Sequence, residues 1–380
     1  MTLNTWNWQQ PEWPHFTYDV EALAALERDF ARKSGVLTGS VKHISGDERE
    51  RFSVQLMGSE ALKTSEIEGE LLDRDSIQSS IRKQLGLDTT ARRATPSEAG
   101  IAEMMVDLYK TFAEPLSQEQ FFEWHAMLCS GRRDLAVIGG YRTNEEDNPM
   151  QVVSNRLDVE RPKVHFEAPP SHLLNHEMAA FFDWFNRTGP EQKNESLPLA
   201  RAGIAHFYFL CIHPFEDGNG RIARAISEKA LSQDVGEAAL ISLSNVIEGN
   251  KRDYYRMLEL HNRTLDLTEF LVYFANVVLQ AQANSQTLVE FLIEKAKFYK
   301  RHDKDLNDRQ KKVVSRLFDA GPEGFEGGLS AKNYRTIAKA PSATATRDLQ
   351  DLVRKNVLVA TGALKSTRYW FEFTQGNTEN

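Results

Sequence analysis

The stretch His213-Pro214-Phe215-Glu216-Asp217-Gly218-Asn219-Gly220-Arg221-Ile222-Ala223-Arg224 decides the reading of this chain. An aromatic run with His206, Phe207, Phe209 and Leu210 leads into it and breaks at Pro214, since residues around a proline favour a helix end or turn. Gly218 and Gly220 flank Asn219 and let the backbone take positive φ angles. Arg221 and Arg224 are three apart and share one face of the helix that follows. A glycine-rich turn that opens a helix presents free N–H groups and the positive end of the helix dipole. Two arginines at the rim suit a polyphosphate. Asp217 offers a carboxylate through which Mg²⁺ can bridge to phosphate oxygens. His213, at the mouth, has the pKa range of a general base.

Other readings of the same residues fare worse. Gly218-Asn-Gly220-Arg-Ile-Ala223 fits the dinucleotide fingerprint G-x-G-x-x-A, but no βαβ alternation surrounds it, and a dehydrogenase needs a parallel sheet. The phosphate loop of NTPases needs a Gly-Lys pair, and none occurs. His172 and His176 stand four apart without the internal glutamate of a zinc hydrolase and read as a solvated helix face.

Working outward, residues 1–45 carry Trp6, Trp8, Trp13, Pro11, Pro14 and Phe16. This reads as an extended arm docked on the body, since large aromatics gain most from burial; a partner-binding peptide is the alternative. Helices are expected over 47–69, 74–85, 99–113 and 117–129, the last with Ser117 and Gln120 as a capping box. Between 137 and 170 the chain is punctuated by Gly139-Gly140, Pro149, Pro162 and Pro169-Pro170, and short runs at 150–153 and 163–166 suit a hairpin. Helices return over 171–186 and 197–211, and helix dominates to about residue 300. Beyond 303, three short helices (309–320, 331–338, 343–355) and two strands (357–361, 367–373) have the order of a winged helix-turn-helix. Residues 307–373 hold 12 Lys/Arg against 7 Asp/Glu, a net of +5, so the rest of a chain at −8 carries −13. Such a basic module suits DNA, and a protein-contact role fits the same order of elements.

The central stretch resembles the signature of the Fic family, His-Pro-Phe-x-(Asp/Glu)-Gly-Asn-Gly-Arg-x-x-Arg, with every fixed position met from His213 to Arg224. Gly140-Tyr141-Arg142 resembles the stretch that precedes the flap in that family. The resemblance implies a mostly α-helical Fic core with a β-hairpin flap, followed by a small winged-helix (α+β) domain. The expected domains are 1–98 (arm and helices), 99–300 (Fic) and 301–380 (winged helix). The implied activity is transfer of AMP from ATP to a Ser, Thr or Tyr hydroxyl of a target protein. In that scheme His213 is the base and Asp217 holds Mg²⁺. Phe215, Glu216, Asp217, Gly218, Asn219, Gly220, Arg221 and Arg224 surround the nucleotide, the two arginines on the departing phosphates. Asn250, Arg252, Tyr254 and Tyr255 resemble the segment that packs the base, although core packing explains the tyrosines equally well. Thr64-Ser-Glu-Ile-Glu68-Gly69 resembles the inhibitory pattern (Ser/Thr)-x-x-x-Glu-(Gly/Asn), in which Glu68 would pair with Arg224. Transfer of another nucleotide, removal of AMP, and a nucleotide-sensing DNA-binding regulator are the alternatives.

Composition bounds the rest. At 380 residues, 41% hydrophobic and 26% charged, the chain is long enough for two or three domains and is not a disordered polymer. Cys129 and Cys211 lie in apolar stretches and read as buried thiols of a reducing compartment. No basic n-region precedes an apolar run, and no segment reaches membrane-spanning length, so a cytoplasmic protein is expected. The expected partners are a target protein docked along the flap near 148–168, the chain itself as substrate, DNA or protein at 307–373, and a second copy of the chain; a membrane is not among them.

Overall fold

Helix starts are set by local caps at several of the positions the sequence marks. The computed structural model describes residues 5–87, 93–144, 147–153, 163–190, 197–238, 241–322, 324–325 and 327–371. The helices of the first two hundred residues are α1 (Val20–Lys42), α2 (Gly46–Ile67), α3 (Arg74–Gln84), α4 (Pro96–Thr111), α5 (Gln118–Leu128), α6 (Leu174–Arg187) and α7 (Pro198–Ile212). They are followed by α8 (Asn219–Val235), α9 (Leu243–Gly249), α10 (Lys251–His261) and the 35-residue α11 (Thr268–His302). Thr95 and Glu98 form a reciprocal capping box at α4, with Pro96 in the first turn. At α5 only half of the expected box is present. Ser117 accepts from the Gln120 N–H, but the Gln120 amide turns away to the Thr111 hydroxyl at 2.8 Å.

One expectation for the N-terminal region changes. Residues 1–45 are not one extended arm, because 20–42 are helical as α1. The stretch before it is docked as anticipated: the Trp8 indole donates to the Glu167 carbonyl at 2.7 Å, and Trp13 donates to Glu177 and meets the Tyr208 ring edge-on. A short hairpin pairs β1 (Gln151–Val153) with β2 (Val164–Glu167) in antiparallel register. The flap expected over 148–168 corresponds to these strands, and its tip, 154–162, lies outside the described residues.

The core of this region is built around α7. Every residue from Leu199 to Phe209 is buried. The helix can be so enclosed because Gly203 lets α11 approach; a Cβ there would lie 2.5 Å from Leu271. Its N-terminus is capped from α1 by Glu27, which accepts the Leu199 and Ala200 N–H groups. Cys129 and Cys211 are both buried free thiols. Among the described residues no helix is long and apolar enough to cross a membrane.

By internal packing the chain separates into two units, residues 1–38 with 49–285, and residues 39–48 with 286–380. The second contains α12 (Asp308–Asp319), α13 (Ala331–Ala338), α14 (Ser342–Arg354), β3 (Leu358–Thr361) and β4 (Arg368–Phe371). β3 and β4 pair antiparallel, Leu358 opposite Phe371, and Leu329 bridges to Tyr369. Val313, Leu317, Phe318, Leu349, Leu352 and Phe371 form this unit's own core. The expected boundaries at 98 and 300 do not coincide with this division.

Candidate active site

Helix α7 ends where the chemistry begins. His213 caps it in the left-handed conformation (φ 49°, ψ 58°), its N–H returning to the Phe209 carbonyl. Such a conformation costs energy for a non-glycine residue and persists only where surroundings enforce it. Arg142 supplies that enforcement: its Nε donates to the His213 carbonyl at 2.8 Å, its Nη2 to the Pro169 carbonyl, and its own N–H to the Pro214 carbonyl. The His213 ring sets Nδ1 3.3 Å from the Leu210 carbonyl, so a proton held there leaves Nε2 free to accept one. Burial, together with the nearby Arg142 charge, pushes His213 down to about 4, so the imidazole is neutral at neutral pH.

The turn after His213 is held by its own residues. The Asn219 amide accepts from the Phe215 N–H and donates to the Phe215 carbonyl. Its side chain therefore braces the loop. Phe215 is fully buried and stacks on the His125 ring at 4.2 Å. Glu216 accepts the Ala136 and Val137 N–H groups, which anchors the neighbouring loop. These three shape the turn while their side chains point elsewhere. Gly218 takes φ 83° and opens α8. Asp217 sits at the mouth with Oδ2 2.6 Å from Arg132 and Oδ1 on the Gly218 N–H, and Arg221 stands 3.7 Å away. Burial raises its pKa, but the Arg221 and Arg132 charges outweigh that, and the carboxyl lies below its usual range.

Both arginines of α8 are engaged by the end of α2. Arg224 is 1% exposed. Its Nε donates to the Thr64 hydroxyl at 2.7 Å and its Nη2 to the Thr64 carbonyl and to Glu68 Oε1, the last at 2.7 Å. Arg221 donates to Glu70 at 2.9 Å. The end of α2 makes this reach feasible. Gly69 takes φ 85°, and the Glu70 N–H bonds back to the Ser65 carbonyl, the closure of a Schellman cap. The chain turns sharply and delivers two carboxylates, Glu68 and Glu70, to two guanidiniums. Glu68 lies directly over the first turn of α8: a Cβ on Gly220 would meet its Oε1 at 2.2 Å. That is the anion position of a helix N-terminus, filled by the protein's own side chain.

Residues 115–231 match the model of the Fic/DOC family. The chain carries a Fic domain. Residues 6–87 match a second family, described as a domain of unknown function, DUF4172. The protein adenylyltransferase Fic of Nematostella vectensis is 31% identical over 107 residues, 28% of this chain and 23% of that protein. The protein adenylyltransferase fic-1 of Caenorhabditis elegans is 31% identical over 162 residues, 43% of this chain and 27% of that one. The matches thus span about a quarter of each relative's length. Among solved structures, a Fic family protein from Desulfovibrio desulfuricans G20 matches with TM-score 0.55 at 20% identity, covering 94% of this chain and 98% of that one. A Fic-domain-containing signaling protein from Bacteroides thetaiotaomicron gives TM-score 0.53 at 18% identity over 72% of this chain and 97% of that one. The helical fold is shared with both.

In this Fic domain the segment resembling a base-packing site divides. Tyr254 is 2% exposed, and its hydroxyl meets His206 Nε2 at 2.8 Å, so its ring belongs to the core. Tyr255 is 42% exposed, with the Lys251 ammonium 5.7 Å from its ring centre. Arg252 is exposed, and the Asn250 amide turns to Asp253. Lys251 reaches the Ile67 carbonyl at the end of α2, linking this segment to Glu68.

Asp217 is the one carboxylate of the Fic turn that faces its mouth. A single carboxylate with substrate phosphates completing the shell is a donor set suited to Mg²⁺, so the site fits a nucleotide-borne metal. Residues given no role from sequence also stand here: Arg132 on Asp217, Glu70 on Arg221, and Arg142 behind His213. A basic residue near a carboxylate in space leaves no mark in a linear pattern when 85 residues separate them. Glu70 had a weak one, standing two after Glu68 across a glycine.

Proposed function

We propose that this protein is a protein adenylyltransferase of the Fic type, transferring AMP from ATP to a Ser, Thr or Tyr hydroxyl and held inactive in cis by the end of α2. The observation that carries the reading is Glu68 over the first turn of α8, paired with Arg224, within a complete signature loop. Asp217 would hold the Mg²⁺ that accompanies ATP, and that ion would supply positive charge to the phosphates. The chain's own residues do the rest. The neutral Nε2 of His213 takes the proton of the target hydroxyl. The freed oxygen forms a bond to the α-phosphorus, and the bond from that phosphorus to the β-bridging oxygen breaks. Pyrophosphate leaves with its charge held by Arg221, Arg224 and the N–H groups opening α8, which stabilise where charge accumulates. The target segment lies along the β1–β2 hairpin. Glu68 opposes this in two ways: it occupies a guanidinium the departing phosphates need, and it places negative charge where theirs must enter.

A hydrogen bond between charged partners contributes about 1.5–3 kcal/mol, so freeing Arg224 changes productive binding by about one to two decades. With α-³²P-labelled ATP and Mg²⁺, Glu68→Gly is expected to label itself about 10–100-fold more than wild type. His213→Ala in the same background is expected to be silent while still binding ATP. Equal labelling by wild type and Glu68→Gly, with the His213→Ala control silent, would refute the inhibition. Labelling that survives His213→Ala would refute the base.

A further inference from the structure

The second unit presents a basic face that the reading of the Fic site does not use, and we propose that this face binds duplex DNA. The argument begins with geometry. Helix α13 stops at Ala338, Lys339 turns the chain in the left-handed conformation (φ 50°), and α14 starts at Ser342. A three-residue turn between two short helices is the connection of a helix-turn-helix, in which the second helix is the one that enters a groove.

Charge points the same way. From residue 327 to residue 371 there are eight Lys/Arg and two Asp/Glu. Both acids are paired within the unit, and Asp348 is also buried. Asp348 is 7% exposed and accepts from the Arg309 guanidinium, the Tyr334 hydroxyl and the Asn307 amide. Asp351 is held by Lys355 at 2.6 Å, by Arg354 and by the Gln310 amide. Their negative charge is thereby neutralised within the unit. Lys332, Arg335, Lys339 and Arg347 are exposed and make no ion pair among the described residues. A face on which every acid is internally paired and these cations are not is built for an external polyanion.

The exposed side chains of α14 complete the case. Ser342, Thr346, Arg347, Gln350 and Arg354 face solvent. They are hydrogen-bonding residues with no large apolar member, whereas a protein-docking helix needs an apolar anchor. Arg and Gln are the side chains that read guanine and adenine edges in a major groove. Arg347, Gln350 and Arg354 line a groove completed by Ala360 and Tyr369 of the β3–β4 hairpin, beside which Arg368 stands, and this places the hairpin where it can follow a phosphate backbone. Duplex DNA fits this constellation better than a protein surface or a second copy.

The test uses the full chain and a fluorescein-labelled random-sequence duplex of about 25 base pairs, more than two helical turns, followed by anisotropy. Binding is expected at about 50 mM salt, with log affinity falling linearly against log salt by about 0.9 per phosphate contacted. Arg335→Glu/Arg347→Glu is expected to weaken binding at least about tenfold and to flatten the slope by about two, with unchanged circular dichroism. Absence of binding at about 50 mM salt, or binding that the double variant leaves unaltered, overturns the proposal, as does a change confined to the sedimentation coefficient of the protein alone. No readout involves nucleotide transfer, so this result and the fate of the adenylyltransferase reading are separable.

Discussion

Burial and the Arg142 charge push His213 down to about 4 from the ordinary 6.5, and this fixes how the reaction should respond to acid. A base must be unprotonated to act, and below its pKa the active fraction falls tenfold per pH unit. For the Glu68→Gly protein, kcat/KM is therefore expected to hold steady from pH 7.5 to about 5 and to fall only near pH 4. A limb near 6.5 would show that the ring is solvated in the free enzyme. His213 as a candidate base was legible from its residue type. Its depressed pKa was not, since the desolvation and the Arg142 guanidinium come from chain 71 residues away. Asn219, Phe215 and Glu216 show the converse: each occupies a signature position, yet each side chain bonds or stacks within the protein, so a motif position need not be a ligand contact.

Helices α2 and α8 face each other through polar rungs. Glu60, Thr64 and Glu68 follow at intervals of one turn on α2, and Glu228 and Arg224 do so on α8. The deepest rung joins two buried carboxyls. Burial, and then the adjacent Glu60, raise Glu228 well above the usual range, and the pair is hydrogen-bonded. Glu60 is the charged member, since it accepts from the Ser242 hydroxyl and from the Ser244 N–H and hydroxyl. Glu228→Gln preserves the donor and is expected to be near neutral at pH 5. Glu60→Ala orphans buried donors at about 1–3 kcal/mol each and is expected to lower the urea midpoint markedly. A carboxyl with a raised folded pKa stabilises fully below its unfolded value, 4.5, and that contribution is lost as pH rises through the folded value. Wild type should therefore lose stability relative to Glu228→Gln as pH rises above about 5; urea midpoints that stay parallel as pH rises would exclude a shared proton. The sequence shows both glutamates on helices, but nothing in its periodicity says that they meet.

At the scale of the molecule, each of the two units encloses its own apolar core. Separate cores make separate cooperative blocks. Five of the six tryptophans (Trp6, Trp8, Trp13, Trp124, Trp184) belong to the first unit, and Trp370 alone to the second. Calorimetry is expected to resolve two transitions, with the fluorescence change tracking the first unit's. Coincident midpoints by both methods, unchanged in Trp370→Phe, would show that the units melt as one. The segregation of charge, +5 over 307–373 against −13 elsewhere, was readable from composition. The pairing of Asp348 and Asp351 within the unit, which makes the exposed face more uniform than that count, was not.

By itself the sequence determined the helical class, the Ser117 cap that starts α5, the turn between α7 and α8, and the residue types of the site. Those properties are local: they depend on residues within one or two turns, whose spacing is visible along the chain. Tertiary structure alone decided what each charge faces. Glu70 on Arg221, Arg132 on Asp217, Arg142 behind His213 and Glu60 against Glu228 join residues brought together by α2, α5 and α8 packing on α7 and its neighbours. Electrostatic partners are set by distance in space and by burial, and neither is a function of separation along the chain.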